Sequence, residues 1–168
     1  MCSEAALLNL RKIKLLLLGF ILAMAANCST SPQAVPKENM REYVHKNGLT
    51  IKLPEKFSAE ETGDGFIVEP ADGSNRNVRY PIEAQVILKK GEIPPSWENA
   101  EEKTVGNRTI KYRINKQTGG SGGAEYNFNA HETIGNDVVY YSQAEQSKDA
   151  APQFNLAWTI IENTSIKK

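Results

Sequence analysis

Cysteine, histidine and long apolar runs are the scarcest features of this 168-residue sequence. Its two cysteines are Cys2 and Cys28, so a domain folded from the residues after them would hold no disulfide, thiol nucleophile or cysteine metal site. The two histidines, His45 and His131, share no metal-binding spacing. We therefore expect no metal and no cofactor. We expect both histidines to be solvated, His131 on the polar side of a strand and His45 at the edge of the domain.

The sequence also lacks an excess of either charge, because 20 Lys and Arg residues balance 20 Asp and Glu residues. A nucleic-acid-binding domain carries a basic excess, so the charge balance argues against nucleic acid as a partner. The residues are 40% hydrophobic and 24% charged, which is ordinary for a globular domain and not for a disordered chain. No HExxH motif and no Cys–His arrangement is present, and scattered carboxylates alone do not indicate an enzyme.

The longest apolar run, Leu15 to Ala26, has twelve residues, whereas a membrane-spanning helix needs about 20. Basic residues precede this run, and small residues and then Cys28 follow it. This pattern predicts a lipoprotein-type signal peptide over residues 1–27, after which Cys28 is acylated and begins the mature chain. Ordinary cleavage to a soluble periplasmic product and an uncleaved anchor are the alternatives.

The residues after the signal peptide divide into a linker and one domain. Residues 28–40 are rich in Ser and Pro, which is typical of a tether, and residues 41–168 form the predicted domain. A short helix over 41–46 is a further prediction. Alternation of apolar and polar residues indicates six strands, at 49–53, 65–69, 84–89, 110–115, 125–131 and 138–144.

One helical pattern follows the strands. Phe154, Ala157, Trp158 and Ile161 recur at the spacing of one helix face, and Pro152 suits the first turn. We expect Phe154 and Trp158 to be buried against the sheet. Strands in series followed by a helix predict a single α+β domain, mainly an antiparallel sheet of about six strands with a packed C-terminal helix.

Two polar segments are candidates for binding. Residues 144–149 lie between the last predicted strand and the helix, and Glu145, Gln146 and Ser147 offer carboxylate, amide and hydroxyl groups there. The second segment lacks the Lys and the helix that a phosphate-binding loop needs, so a hairpin tip or a contact for another protein is expected. Its residues are Gly119, Gly120, Ser121, Gly122 and Gly123.

These segments, taken with others in their order, resemble the Tsi3 family of type VI secretion immunity proteins. The stretch from Gly119 to Trp158 carries the specific part of the resemblance. The matching features are the lipoprotein leader, Asn47-Gly48-Leu49, Arg76-Asn77-x-Arg79, the Pro94-Pro95 turn, Gly119-Gly120-Ser121-x-Gly123-x-Glu125-Tyr126, and Glu145-Gln146-Ser147-x-Asp149 leading to Phe154-x-Leu156-Ala157-Trp158.

The resemblance implies an inhibitor and not an enzyme. It implies a periplasmic protein that binds a Tse3-type, peptidoglycan-degrading effector of the muramidase type in a 1:1 complex. It places Glu145, Gln146 and Ser147 in the effector's cleft, with residues 119–123 as a second contact. There Gln146 and Ser147 would hydrogen-bond a catalytic carboxylate and imitate the polar groups of a sugar. The calcium of this family belongs to the effector.

A lipid on Cys28 would hold the protein at a membrane facing the periplasm, and the residue that follows, Ser29, favours the outer membrane. Two other functions stay open at this point. One is a general envelope lipoprotein with a ligand-binding or assembly role, and the other is a wall-active enzyme. A gene for a secreted hydrolase beside the gene for this chain would favour the immunity function.

Overall fold

The computed structural model of the chain describes residues 39–74, 81–118, 123–147 and 152–167. All of these residues belong to one compact unit, Glu38–Lys168. The predicted signal peptide, Cys28 and most of the predicted tether lie outside the described residues. Within the described ranges, no helix is both long and apolar enough to cross a membrane.

The described ranges contain ten strands and one helix, and every strand pair is antiparallel. In chain order the elements are β1 (Met40–Val44), β2 (Leu49–Pro54), β3 (Phe57–Glu61), β4 (Gly65–Pro70), β5 (Glu83–Lys90), β6 (Glu101–Val105), β7 (Arg108–Thr118), β8 (Ala124–Ile134), β9 (Asp137–Ser147), α1 (Asn155–Glu162) and β10 (Thr164–Ile166).

The strands form two sheets, a small one in the order β1-β2-β10 and a large one in the order β3-β4-β5-β9-β8-β7-β6. The predicted α+β class, the antiparallel sheet and the C-terminal helix are confirmed, but about six strands is too few. All six predicted strands are present, and the four that the sequence pattern misses are β1, β3, β6 and β10. Each of these four lies at the edge of a sheet. An edge strand buries few side chains, so its sequence alternates weakly.

The predicted short helix over 41–46 is wrong, because this segment contributes to β1. Tyr43 pairs with Ile51 of β2, and Tyr43 is the one half-buried residue of a strand whose other residues are exposed. A single inward aromatic residue among polar neighbours does not distinguish an edge strand from one turn of a helix.

The large sheet has an inner face, toward α1, and an outer face. The inner face carries the apolar core, and Val86 of β5, Tyr141 of β9 and Ala130 of β8 lie side by side on it. The outer face carries polar residues, with Asn129 of β8 opposite Ser142 of β9. Since side chains alternate along a strand, this register assigns every residue of β8 and β9 to one face.

The helix begins at Asn155, one residue after Phe154, whose backbone is left-handed with φ 52°. Pro152 therefore lies before the helix and not in its first turn. Phe154 is buried as predicted, and its ring lies 5.3 Å from the ring of Phe128 on β8. The capping residue is Phe154, and its side chain makes no hydrogen bond to the free N–H groups of the first helical turn.

Trp158 packs against the core but is only partly buried, so its predicted burial against the sheet is confirmed in part. Its ring packs edge-on against Tyr112 and Phe128, with 5.2 Å between centroids in each case. The ammonium of Lys103, on the edge strand β6, lies 3.8 Å from the centroid of the indole. Trp158 therefore covers the edge of the aromatic cluster. One face of its ring is near solvent, where the Lys103 ammonium makes a favourable cation–π contact with it.

Both histidines are buried, contrary to the prediction that they are solvated. His131 is 3% exposed because the segment before β6 crosses the outer face here and places the ring of Trp97 4.5 Å away. His45 is 2% exposed, and its Nδ1 accepts the backbone N–H of Asn47 at 3.2 Å. Its Nε2 therefore carries the proton and donates to the carbonyl of Thr62 at 3.0 Å. Both nitrogens of His45 are used by the fold.

A buried ion pair connects the end of the chain to the large sheet. Arg108 Nη1 lies 2.7 Å from Glu132 Oε1, and the same carboxylate oxygen accepts the hydroxyl of Tyr141. Arg108 also donates to the carbonyls of Ile161, at 2.6 Å, and Thr164, at 3.3 Å. Burial raises the pKa of Glu132, against the opposing effects of the Tyr141 hydroxyl and the Arg108 charge.

Candidate partner-binding surface

The described candidate residues Gly123, Glu145, Gln146 and Ser147 lie at one end of the large sheet. Ala124, the residue after Gly123, pairs with Ser147 across β8 and β9. Gly123, the described residue of the first predicted segment, is therefore brought next to the second segment in the sheet. Five candidate residues lie outside the described ranges, namely Cys28, Gly119, Gly120, Ser121 and Gly122.

The predicted strand ends at Ala144, but β9 continues through Ser147, so the prediction that Glu145, Gln146 and Ser147 belong to a connection is wrong. The extended backbone sends neighbouring side chains to opposite faces. Glu145 and Ser147 lie on the inner face, in register with Tyr126 and Ala124 of β8, and Gln146 lies on the outer face opposite Glu125. The three side chains thus lie on both faces of the sheet at the end of β9, and they do not form one flat patch.

A groove of about 430 Å³ opens beside this strand end. It exists because β5 begins at Glu83, which pairs with Ala144, so in the described ranges β9 pairs only with β8 beyond that point. Ile82, just before β5, is 47% exposed beside it. The groove is lined by Pro81, Ile82, Glu83, Glu125, Ala144, Glu145 and Gln146.

Carboxylates make up most of the polar lining of the groove, whose other walls are apolar. Glu83, Glu125 and Glu145 line it, and none of them has an ion-pair partner among the described residues. Partial burial raises the pKa of Glu145. Carboxylates accept hydrogen bonds, and the amide of Gln146 offers both a donor and an acceptor. The groove therefore suits a partner that presents hydrogen-bond donors or cations to the carboxylates. An acceptor on the partner could be bound by the NH₂ group of Gln146.

Gln143 is the residue of this region that the sequence reasoning missed. It lies two residues before Glu145 on the inner face and is 4% exposed. Its Oε1 accepts the backbone N–H of Ala157 at 2.8 Å, and its Nε2 donates to Glu145 Oε2 at 3.2 Å. The available signal was a polar residue at a core-facing position of a strand, in phase with Tyr141.

A larger cleft, of about 840 Å³, lies at the opposite end of the large sheet and contains none of the candidate residues. Arg108, Lys111, His131 and Glu132 contribute to its wall. His131 Nδ1 and Glu132 Oε2 have no hydrogen-bond partner among the described residues, but both atoms lie beneath the surface. Arg108 and Lys111 are already paired with carboxylates. The groove at the Ser147 end is therefore the better candidate for a partner contact.

Comparison with known proteins assigns the family. Residues 50–165, from β2 to β10, match the family model of the type six secretion immunity 3 domain, Tsi3. The chain is also 31% identical over 127 residues to the immune protein Tsi3 of Pseudomonas aeruginosa PAO1, a match that covers 76% of this chain and 83% of that relative. The chain belongs to the Tsi3 family of type VI secretion immunity proteins. Proteins of the Tsi3 family are inhibitors and not enzymes, so this chain is not an enzyme.

One solved structure resembles the Tsi3-family chain in fold. A crystal structure from Bacteroides thetaiotaomicron VPI-5482 superposes with a TM-score of 0.56 at 15% identity, covering 76% of this chain. This chain spans about half (48%) of that protein. The solution structure of cyanobacterial PsbP from Synechocystis gives a TM-score of 0.46 at 9% identity, covering 80% of this chain and 96% of that one.

Proposed function

We propose that this Tsi3-family protein binds and blocks the active cleft of a secreted, peptidoglycan-degrading effector of the muramidase type in the periplasm. In this way it protects the producing cell and its siblings. The family supports a toxin as the partner. The observation that carries the site is the meeting of the Gly123 end of β8 with Glu145, Gln146 and Ser147 beside one groove.

The scaffold favours tight binding at this end of the sheet. The strands β8 and β9 are eleven residues long and are paired along their whole length, so Glu145 to Ser147 extend from a continuous ladder. Side chains held in place before binding lose less conformational entropy when a partner arrives. Short polar groups on such a scaffold can therefore give high affinity from few contacts.

The test is titration of the effector's hydrolysis of purified peptidoglycan with this protein. The effector to use is the product of a hydrolase gene that lies beside the gene for this chain. We expect stoichiometric inhibition at a 1:1 ratio. Replacing Gln146 and Ser147 together by Ala should weaken inhibition tenfold or more, which corresponds to about 1.4 kcal/mol. Thermal stability should change little, because neither residue belongs to the apolar core.

A matched control uses Asn107→Ala with Thr109→Ala. Both residues are polar and exposed, and they lie at the opposite end of the large sheet. This control should inhibit like the wild type. Full inhibition by the folded Gln146/Ser147 variant would move the binding face elsewhere. Hydrolysis of peptidoglycan by this protein alone would overturn the inhibitor function.

We further propose that the protein is anchored by a lipid on Cys28, with the outer membrane as the favoured site. The support is the twelve-residue apolar run that ends shortly before this cysteine. Metabolic labelling with a fatty acid should mark the wild type and not Cys28→Ser. Equal labelling of both proteins contradicts the anchor, and co-migration of the labelled protein with inner-membrane markers contradicts the outer-membrane assignment.

A further inference from the structure

Gln143 connects the candidate contact residue Glu145 to the start of the helix. One end of its amide accepts the N–H of Ala157, the third residue of α1, and the other end donates to Glu145 Oε2. The first N–H groups of a helix have no partner inside the helix. Because the capping residue Phe154 supplies no side-chain bond, the glutamine oxygen takes over that role for Ala157.

The two bonds fix the direction of the amide. A backbone N–H can only donate and a carboxylate can only accept, so the oxygen must face Ala157 and the NH₂ group must face Glu145. Turning the amide by half a rotation would break both bonds at once. Glu145 lines the groove and is partly exposed, and Gln143 is the donor to its carboxylate among the described residues.

We propose that Gln143 is a positioning residue for the inhibitor surface, which holds the carboxylate of Glu145 in the orientation that the effector binds. This inference rests on the proposed function and adds a residue that would not touch the effector itself. The buried glutamine restricts the rotamers of Glu145 before binding. Fixing one long side chain in advance corresponds to about a two- to tenfold gain in affinity.

The first test uses the isolated protein. NMR titration of the Glu145 side-chain carboxyl should give a higher pKa in Gln143→Met than in the wild type, because the donor to the charged form is lost. The control is Thr164→Val, which removes the buried bond from the Thr164 hydroxyl to the carbonyl of Ile160 and leaves the pair at Glu145 intact. Both variants should melt at lower temperature. An unchanged Glu145 titration in Gln143→Met overturns the proposal.

The second test is a double-mutant cycle in binding to the effector that the wild type inhibits. Gln143→Met should weaken the Kd about two- to tenfold, and Thr164→Val should not. In a Glu145→Ala background, Gln143→Met should have no further effect on the Kd, because the group that it orients is gone. A residue that acted only through stability would weaken both backgrounds equally, and that result overturns the proposal.

The outcomes separate this inference from the function on which it rests. If the wild type does not bind the effector, the proposed function fails. If the wild type binds and Glu145→Ala binds as well as the wild type, inhibition stands but Gln143 has no positioning role. Should Gln143→Met fail to fold, Gln143→Glu keeps an acceptor for Ala157 and replaces the donor by a carboxylate that repels Glu145, so it should weaken binding at neutral pH.

Discussion

His131 shows how one residue's environment sets a dependence of stability on pH. Burial and the nearby charge of Lys111 lower the pKa of His131 below its ordinary value of 6.5. The folded state therefore prefers the neutral imidazole, whereas the unfolded chain takes up a proton near pH 6.5. Stability is thus retained above that pH and lost as the pH falls through the unfolded pKa toward the lower, folded pKa.

The corresponding substitution is His131→Phe, which keeps a ring beside Trp97 and removes the titration. We expect the free energy of unfolding of the wild type to decrease relative to the variant as the pH falls below about 6.5. Denaturant unfolding at several pH values measures this difference. Parallel pH profiles for the two proteins would contradict the assignment of a neutral, buried imidazole.

Residue-level prediction from the sequence failed where burial depends on distant parts of the chain. His131 falls on the polar side of its strand by alternation, and only the crossing of Trp97 over that face buries it. Gln143 falls on the apolar side, and only α1 supplies the N–H group that makes it a satisfied core residue. Both environments are created by segments outside the strand, so the periodicity of the strand's own sequence does not predict them.

At the scale of elements, the pairing of β4 with β5 depends on a close approach of the two backbones. A Cβ added at Gly65 would lie 1.9 Å from the carbonyl oxygen of Val86. The obstacle is backbone and not a movable side chain, so Gly65→Ala must push the strands apart. We expect a loss of about 1–3 kcal/mol or more in the free energy of unfolding, measured by denaturant titration.

Gly63→Ala is the matched control for this prediction. It makes the same chemical change two residues away, where an added Cβ meets nothing within 4 Å. Its effect should remain within about 0.5 kcal/mol. Equal stability of the two variants would mean that β4 and β5 do not approach each other as closely as described.

The elements that the sequence predicts are those that bury a regular set of side chains. The central strands β5, β8 and β9 alternate clearly, and so do β2, β4 and β7. The edge strand β6 shows the opposite case, since four of its five residues are exposed and its sequence, Glu-Glu-Lys-Thr-Val, resembles a loop. β6 is a strand because it pairs with β7, and this pairing depends on the tertiary structure and not on the local sequence.

At the scale of the whole molecule, the unit Glu38–Lys168 contains all the described elements. We expect a protein that begins at Glu38 to melt at the same temperature as one that begins at Cys28 and to inhibit the effector equally in solution. A second truncation that ends at Asn163 removes β10, its pairing with β2 and the Thr164 carbonyl that Arg108 binds. It should lose about 3 kcal/mol or more. Thermal melting of both truncations checks the prediction, and a large loss in the first would contradict it.

The candidate site could be predicted only in part from the sequence. The segments 119–123 and 145–147 are predicted from their residue types and from a resemblance, whereas the placement of Gly123 beside the end of β9 is a property of the β8–β9 register. The opposite directions of Glu145 and Gln146 follow from the length of β9. That length depends on pairing with β8, which the sequence alone does not reveal.

The pairing of β2 with β10 has a consequence for the order of events during biosynthesis. The buried strand β2 is made early, and its neighbour on one side consists of residues near the end of the chain. Until those residues emerge, the apolar side chains of β2 lack part of their cover, and Arg108 lacks the carbonyls of Ile161 and Thr164. We therefore expect the small sheet to be completed only when the residues of β10 become available to pair with β2.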